Sequence, residues 1–339
     1  MGVDISGIVE AVESSVESFS GKVLAIDGYN TLYQFLAIIR QNDGTLLTDS
    51  KGRVTSHLSG LFYRSANFLE IGIKPVFVFD GEPYAQKMGT ISGRIAVKEK
   101  AMEEWKKALE EGDLETAKSK AQQTSRLTKE MVVQAKNLLS CMGIPCIDAP
   151  RDGEAQASFL VQNGDAEYAA SQDFDALLFG SPSLVRNLAI SGKRKLPRRK
   201  EYVEIKPETI YLQKLLSTHG ITREQLVDIG ILVGTDFNVG VRGIGAKKAL
   251  KLIKEYGSIE KVIEKKKIEV PGYEEARKIF LEPEVNRNYT IRWQTPDMEK
   301  ILRLLVDDFE FSEERVKKAM AFVETMKNRE KQASLDQFF

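Results

Sequence analysis

The apolar positions of this chain fall into short runs and longer helical stretches. Lys22-Val-Leu-Ala-Ile-Asp27 is a short apolar run followed by Gly28, and Lys74-Pro-Val-Phe-Val-Phe-Asp80 repeats the pattern with Gly81 next. Runs of this length bounded by glycine read as buried strands, with Asp27 and Asp80 at their carboxyl ends. A weaker third run extends from Ala166 to Asp173 and carries Asp175 two residues on. Helical stretches lie between them, such as 55–70 and 129–142. The alternation predicts an α/β fold with a twisted, largely parallel central sheet flanked by helices. Ligands of such sheets bind outside the carboxyl ends of the strands. Three strands therefore deliver carboxylates to one edge.

The stretch 94–140 is rich in Ala, Glu, Lys and Gln and holds no proline. It predicts two or more helices, broken near Gly112-Asp113; the apolar content is modest up to about residue 128, so that helix pair is expected to stand out into solvent rather than join the core. The stretch 221–264 reads as helix, turn, helix, with Gly234, Gly240, Gly243 and Gly245 punctuating its middle. From Lys327 onward the chain is polar until Leu335, Phe338 and Phe339, which predicts a flexible tail. No internal repeat or low-complexity tract is evident.

Composition narrows the chemistry. The 339 residues are 42% apolar and 29% charged, enough for a core and too apolar for a disordered chain. The first twenty residues carry four acids and no base, so a secretory signal is not expected, nor is a membrane segment. Two cysteines, Cys141 and Cys146, and two histidines, His57 and His219, exclude a disulfide scaffold and disfavour a His/Cys zinc site. The reaction must rest on carboxylates, Lys/Arg and backbone. Lys plus Arg equals Asp plus Glu, at 49 each, which would argue against nucleic-acid binding if the charges were evenly spread. They are not. Lys193, Arg194, Lys195, Arg198, Arg199 and Lys200 form one basic stretch, and Arg242, Lys247, Lys248, Lys251 and Lys254 form another. A chain that grips phosphates and also holds cations with carboxylates can sum to zero.

The acidic constellation comprises Asp27, Asp80, Asp152-Gly-Glu154, Asp173-Phe-Asp175 and Asp236. An aspartate after a strand ordinarily caps the next helix or starts a turn. Seven such carboxylates in one cleft raise one another's pKa and call for cations. Mg²⁺ prefers oxygen ligands, and paired ions about 4 Å apart clamp the attacking and leaving oxygens of a phosphodiester. Gly243-Ile-Gly245-Ala-Lys247-Lys248 lets a backbone approach a phosphate at a helix N-terminus, while the lysines add charge without reading bases. This resembles a helix-hairpin-helix grip. In the tail, Gln332-Ala-Ser-Leu335-Asp-Gln-Phe338-Phe339 spends apolar surface that only a partner would cover. Met1-Gly-Val-Asp-Ile-Ser6 matches a myristoylation pattern, but no basic patch or second lipid signal follows, and it is discounted.

These motifs together resemble the flap endonucleases, structure-specific 5′ nucleases of replication and repair. The resemblance runs nearly end to end. It is carried by Ala25-Ile-Asp27-Gly-Tyr-Asn-Thr-Leu-Tyr33-Gln-Phe, Thr55-Ser-His-Leu-Ser-Gly-Leu-Phe-Tyr-Arg64, Val78-Phe-Asp80-Gly-Glu-Pro, Met142-Gly-Ile-Pro and Gln172-Asp-Phe-Asp175. Leu178-Phe-Gly-Ser-Pro, Gly234-Thr-Asp236, Gly243-Ile-Gly245, Phe311-Ser-Glu-Glu-Arg315 and the tail complete it. The chain stops at the box where eukaryotic members continue with a lysine-rich extension, so the resemblance is to an archaeal member, expected in the cytoplasm at the nucleoid rather than in a nucleus. It implies a PIN-like 5′ nuclease fold with a helical arch and a helix–two-turn–helix DNA grip. One nuclease domain is expected over 1–326, with an N-terminal region of about 1–100, an arch of about 85–130 and an internal region of about 140–264. The grip lies at 221–264, and the tail at 327–339 carries the box.

The resemblance also implies roles. Asp80, Asp152 and Glu154, with Asp27 through water, would hold one Mg²⁺, and Asp173, Asp175 and Asp236 a second; Mn²⁺ would substitute. Lys87 and Arg94 would stabilise the scissile phosphate, Tyr33 would stack the terminal unpaired base, and Arg40, Thr55, Arg64 and Arg315 would touch DNA backbone or a 3′ flap. A monovalent cation is expected near Gly240 to Ile244, and a sliding clamp (PCNA) on Gln332, Leu335, Phe338 and Phe339. The implied substrate is branched duplex DNA with a 5′ flap, cut near the junction by a monomer in Okazaki-fragment maturation and base-excision repair, with 5′-3′ exonuclease activity besides. A sister 5′-3′ exonuclease and a non-catalytic clamp-bound scaffold are the alternatives. Two positions depart from the family's pattern. Asp152 stands where Glu is usual, one methylene shorter, and is expected to weaken the first metal site; Tyr84 replaces a usual Pro, and is expected to alter the arch entrance and leave the metal site alone.

Overall fold

Short apolar runs become strands here because their alternate residues are buried on both faces. The structure, a computed structural model, describes residues 2–195 and 202–323, without the side chains of 88–96, 193–195 and 202–203. Its strands are β1 (Val12–Glu13), β2 (Val23–Asp27), β3 (Lys74–Phe79), β4 (Cys146–Asp148), β5 (Tyr168–Ala170), β6 (Ser183–Arg186), β7 (Gly192–Lys195), β8 (Tyr202–Ile205) and β9 (Glu208–Tyr211). Seven of them form one sheet in the order β1-β9-β6-β5-β2-β3-β4. β2 pairs parallel with β5 (Ala25 opposite Ala169), and β5 pairs parallel with β6. β9 joins β6 antiparallel, and β1 joins β9 antiparallel, so the parallel centre carries an antiparallel flank. The strand order reverses at β2: the chain proceeds to β3 and β4 on one side, then returns to β5 on the other. Such a switch point opens a crevice at the carboxyl ends of the strands.

The helices are α1 (Gly28–Ile38), α2 (Ser56–Ile71), α3 (Lys87–Glu110), α4 (Leu114–Gln122), α5 (Lys129–Cys141), α6 (Gly153–Gln162) and α7 (Asp175–Leu178). They continue as α8 (Leu212–His219), α9 (Arg223–Val233), α10 (Ala246–Tyr256), α11 (Ile259–Lys266), α12 (Tyr273–Leu281), α13 (Met298–Leu302) and α14 (Glu313–Ala319). The break expected near Gly112-Asp113 is the joint between α3 and α4, where the Asp113 carboxylate caps α4 by accepting from the Thr116 amide.

The chain divides into two units. The first comprises Met1–Asn30, Val78–Val97 and Ile147–Tyr289. Its core joins Leu24, Ala25 and Ile26 of β2 to α6, and Leu177 and Leu178 to Ile229 and Leu232 of α9. The second comprises Thr31–Phe77, Lys98–Cys146 and Thr290–Phe339. There Leu58, Leu61 and Phe62 of α2 pack with Leu138 and Leu139 of α5, and α13 and α14 close over the pair. No described helix is long and apolar enough to cross a membrane.

Candidate active site

All seven candidate carboxylates lie in the first unit. Asp27 is the last residue of β2, and Asp80 follows β3 directly. Asp152 stands at the N-cap of α6, with Glu154 in the first turn. Asp173 follows β5, Asp175 opens α7, and Asp236 sits in the loop after α9. Five segments thus bring acids to the switch point. The third strand ends earlier than expected, at Ala170, because the chain turns away at Ser171 to place its two aspartates.

Hydrogen bonds fix several of these groups. Asp80 Oδ1 accepts the Gly153 amide at 2.7 Å, and a Cβ at Gly153 would fall 2.6 Å from that oxygen, so only glycine admits the contact. Asp152 Oδ1 accepts the Glu154 amide at 3.0 Å, so the ordinary helix-capping role of an aspartate holds here alongside any other. Asn30 donates its amide N–H to Asp27 Oδ1 at 2.9 Å and its side-chain amide to Asp173 Oδ2 at 3.2 Å. Ser171 donates to Glu154 Oε1 at 2.5 Å and accepts the Asp173 amide.

The electrostatics are those of an uncompensated acidic cluster. Burial, then Asp80, push the Asp27 carboxyl well above its ordinary value. Burial, then Asp152, raise Asp80 to about 6. Burial, then Asp173, raise Asp175 to about 7. Glu154 is likewise held high by burial and by Asp175. Within this field lies a half-buried ammonium. Lys87 Nζ is ion-paired with Asp152. Burial alone would lower its pKa, but Asp152, Asp80 and Asp236 together hold it well above the usual lysine range. An all-oxygen donor set that draws a cation out of water fits hard divalent ions. Among the described residues, no three His, Cys, Asp or Glu side chains already form a metal-ligand group. The backbone of Arg94 lies on α3, and its side chain is outside the described residues.

Three contributors were not legible in the sequence. The segment discounted as a lipidation decoy is a wall of the site: Val3 and Ile5 are buried, and the Val3 amide donates to Asp175 Oδ1 at 2.7 Å. Asn30 ties Asp27 to Asp173 through its backbone N–H and side-chain amide, and the Ser171 hydroxyl ties Glu154 to the Asp173 backbone, contacts that no spacing rule singles out. Tyr84, already singled out in the sequence, makes contacts beside the site. Its ring meets Phe237 edge-on at 5.7 Å and lies under the Arg151 guanidinium at 5.5 Å. Those two residues neighbour Asp236 and Asp152 in the chain.

The expected helix, turn, helix of 221–264 is α9, α10 and α11. A capping box of Thr222 and Gln225 starts α9. The loop after it is closed by Thr235, whose hydroxyl accepts the Phe237 amide at 3.0 Å, and by Asn238, which donates to the Ile231 carbonyl at 2.8 Å. Asp228, fully buried on α9, accepts the Ile259 amide and pairs with Arg277, which ties α11 and α12 to the same helix. Gly245 is the N-cap of α10, with φ −95° and no side-chain cap, and nothing stands within 4 Å of a Cβ placed there. Neither backbone strain nor internal packing demands glycine at 245. Lys247 and Lys248 are exposed beside it, and Lys248 Nζ donates to the Gly243 carbonyl at 3.3 Å.

The remaining candidates lie in the second unit. Tyr33 is 38% exposed, with Lys98 Nζ over its ring at 4.9 Å, so it lies at the surface rather than in the core. Arg40 is spent internally on the Leu36 and Gly44 carbonyls and the Ser125 hydroxyl. Thr55 is buried ahead of α2, Arg64 lies over Phe68 at 5.9 Å, and Arg315 is exposed on α14. The basic stretch of 193–200 begins as β7, paired antiparallel with β8; its side chains, the residues 196–201, and the box at Gln332, Leu335, Phe338 and Phe339 are outside the described residues.

Carboxylates gathered at a switch point, with a half-buried lysine among them, fit the centre of a metal-dependent nuclease. Comparison with known proteins agrees. Residues 1–101 match the XPG N-terminal domain and residues 143–236 the XPG I-region. Flap endonuclease 1 of Thermofilum pendens is 55% identical over 345 residues, covering 100% of this chain and 99% of its own. That of Archaeoglobus fulgidus is 51% identical over 339 residues, covering all of both chains. The solved flap endonuclease-1 from Methanococcus jannaschii is 42% identical with a TM-score of 0.75, covering 95% of this chain and 98% of that one. The chain belongs to the flap endonuclease family.

Proposed function

We propose that this chain binds branched duplex DNA bearing a 5′ flap and hydrolyses one phosphodiester near the junction. The observation that carries the reading is the convergence of seven carboxylates from five segments, with the Lys87 ammonium beside Asp152, Asp80 and Asp236. Asp80, Asp152 and Glu154, with Asp27 through water, would hold one Mg²⁺, and Asp173, Asp175 and Asp236 another, with Mn²⁺ able to replace either. Such ions would acidify the attacking water and neutralise charge on the leaving oxygen. Lys87, with Arg94, would orient and stabilise the scissile phosphate. Tyr33 would stack the terminal unpaired base, worth about 1–3 kcal/mol.

The α9–α10 loop would grip one duplex arm through phosphates. What supports this is Gly245, a glycine that the chain's own packing does not need, next to two exposed lysines. The Gly243 carbonyl already accepts an ammonium, which favours a monovalent cation on the carbonyls of Gly240 to Ile244. Such contacts carry no base code, so selection would rest on DNA shape and on passage of the flap beneath α3 and α4. The Gln332-to-Phe339 box would recruit a sliding clamp (PCNA). The working form would be a monomer at the nucleoid, serving Okazaki-fragment maturation and base-excision repair, with exonuclease action at nicks.

A labelled double-flap DNA with a long 5′ flap and a single 3′ nucleotide tests this. Wild type and Asp173→Ala are incubated in Mg²⁺ and in EDTA. One junction product, made only by wild type in Mg²⁺, is expected. Binding without product in every condition would overturn the reading in favour of a scaffold.

A further inference from the structure

We propose that Tyr84 is a positioning residue for Lys87, acting through the face of Phe237. The inference rests on the endonuclease reading for its kinetic consequence and on geometry alone for its structural one. Tyr84 is half-buried on the short link between β3 and α3, and its carbonyl accepts the Lys87 amide at 3.0 Å. Its ring meets Phe237 nearly perpendicular, at 86°. The Lys87 ammonium lies over that same Phe237 ring, 5.1 Å from its centroid, while paired with Asp152. Phe237 is therefore held on one side by Tyr84 and used on another by the lysine.

Phe237 cannot retreat. It is 5% exposed and backed by Phe280 at 5.1 Å and Phe179 at 6.5 Å, and those two rings pack together at 4.8 Å. Tyr84 is pinned in turn. Arg151 lies over its ring and is fixed by Glu284 at 3.2 Å and Glu82 at 3.8 Å, and the Tyr84 hydroxyl accepts the Glu284 amide at 3.4 Å. A lysine side chain is long and flexible, and its ammonium is attracted to the negative face of an aromatic ring. Fixing that face restricts where the ammonium can stand beside Asp152. Removing the Tyr84 ring leaves a cavity into which Phe237 can tilt, and the ammonium then loses its seat.

The test is a double-mutant cycle on the full chain, with a spectroscopic arm. Single-turnover cleavage of double-flap DNA is compared for wild type, Tyr84→Phe, Tyr84→Ala, Lys87→Ala and the Tyr84→Ala/Lys87→Ala pair. Tyr84→Ala is expected to lower the rate about ten- to hundredfold, as misplacement of a catalytic group does. DNA affinity in Ca²⁺ and the wild-type rate of Tyr84→Phe should each hold within about twofold. In the Lys87→Ala background, Tyr84→Ala should cost less than about twofold, because the residue it positions is gone. A full additional loss there, or an equal loss in Tyr84→Phe, would overturn the proposal. Should Tyr84→Ala not fold, Tyr84→Leu fills the volume without the ring and enters the same cycle. The spectroscopic arm uses ¹³Cε-lysine protein without DNA. The Lys87 signal, assigned by its absence in Lys87→Ala, should be displaced by the Phe237 ring current in wild type and Tyr84→Phe and return to the ordinary position in Tyr84→Ala. An undisplaced wild-type signal would refute the geometry even if wild type cut no DNA, whereas a displaced signal without cleavage would count against the endonuclease reading alone.

Discussion

Replacing Asp175 by asparagine should make the metal-free protein more stable while abolishing cleavage. Folded Asp175 keeps its proton to about pH 7, because burial and Asp173 disfavour the anion, whereas the unfolded carboxyl releases it near 3.8. Between those values folding takes up a proton, so the stability present below 3.8 is lost as pH rises through about 7. Three units correspond to about 4 kcal/mol at 1.36 kcal/mol per unit. The substituted side chain would carry no charge, and its carbonyl oxygen could still accept the Val3 amide. Allowing for imperfect isosteric fit, a gain of about 2–4 kcal/mol at pH 8 is reasonable. The unfolding entropy of 339 residues is about 0.7 kcal/mol/K, so Tm should rise by about 3–6 °C. The assay is calorimetry of wild type and Asp175→Asn in EDTA at pH 8 and at pH 5. The gain should shrink to about 1–2 kcal/mol at pH 5, where the folded carboxyl is neutral but the unfolded one is still ionised, and vanish only below about 3.8. A gain that is absent at pH 8, or equal at both pH values, would refute the electrostatic account.

Three other outcomes are expected. Gly245→Ser should leave Tm unchanged or raise stability by a few tenths of a kcal/mol, since serine caps α10, yet weaken DNA binding several-fold; undiminished affinity in a gel-shift titration would remove the phosphate contact. Asp152→Glu should lower the Mg²⁺ concentration for half-maximal cleavage, at a cost of about 0.5–2 kcal/mol for the lost cap on Glu154; an unchanged Mg²⁺ titration would dismiss the idea that the shorter side chain weakens the site. His57, fully buried with Nε2 2.9 Å from Gln134 Oε1, is held down to about 4 by burial. Unfolded histidine titrates near 6.5, so this group's contribution is lost as pH falls from 6.5 to 4, by about 3 kcal/mol. Its ring resonances should show no midpoint above about pH 5, and a midpoint near 6.5 would contradict its burial.

The parts of the site legible in sequence are those set by local periodicity. Asp27 and Asp80 stand at the ends of β2 and β3 because an apolar run of five or six residues fixes where a strand stops. The helices at 55–70 and 129–142 are α2 and α5 within a residue or so, since their apolar spacing and flanking turns agree. What escaped depends on residues far apart in the chain. The antiparallel flank of β1 and β9 pairs Val12 with Thr209, and strands this short carry no periodicity to read. The Val3–Asp175 bond spans 172 positions. Tyr84 stood out in the sequence, but its contact did not: a turn residue's reach depends on the ring it meets, and Phe237 lies in a different segment. Arg40, which the resemblance places against DNA, also donates to the Leu36 and Gly44 carbonyls and the Ser125 hydroxyl, and backbone acceptors leave no trace in composition.

The interleaving of distant segments at β2 has a consequence for biosynthesis. Leu24 pairs with Tyr168, so β2 waits 144 residues for its parallel partner to leave the ribosome. At about 5–20 residues per second, that is on the order of ten seconds during which an apolar strand has no neighbour on that edge. The last carboxylate, Asp236, emerges later still. A nascent chain thus carries fragments of an acidic cleft but no complete one. Cutting activity would switch on only after the whole sheet centre has been made, so a truncated translation product would be an inert, aggregation-prone polypeptide rather than an unregulated nuclease.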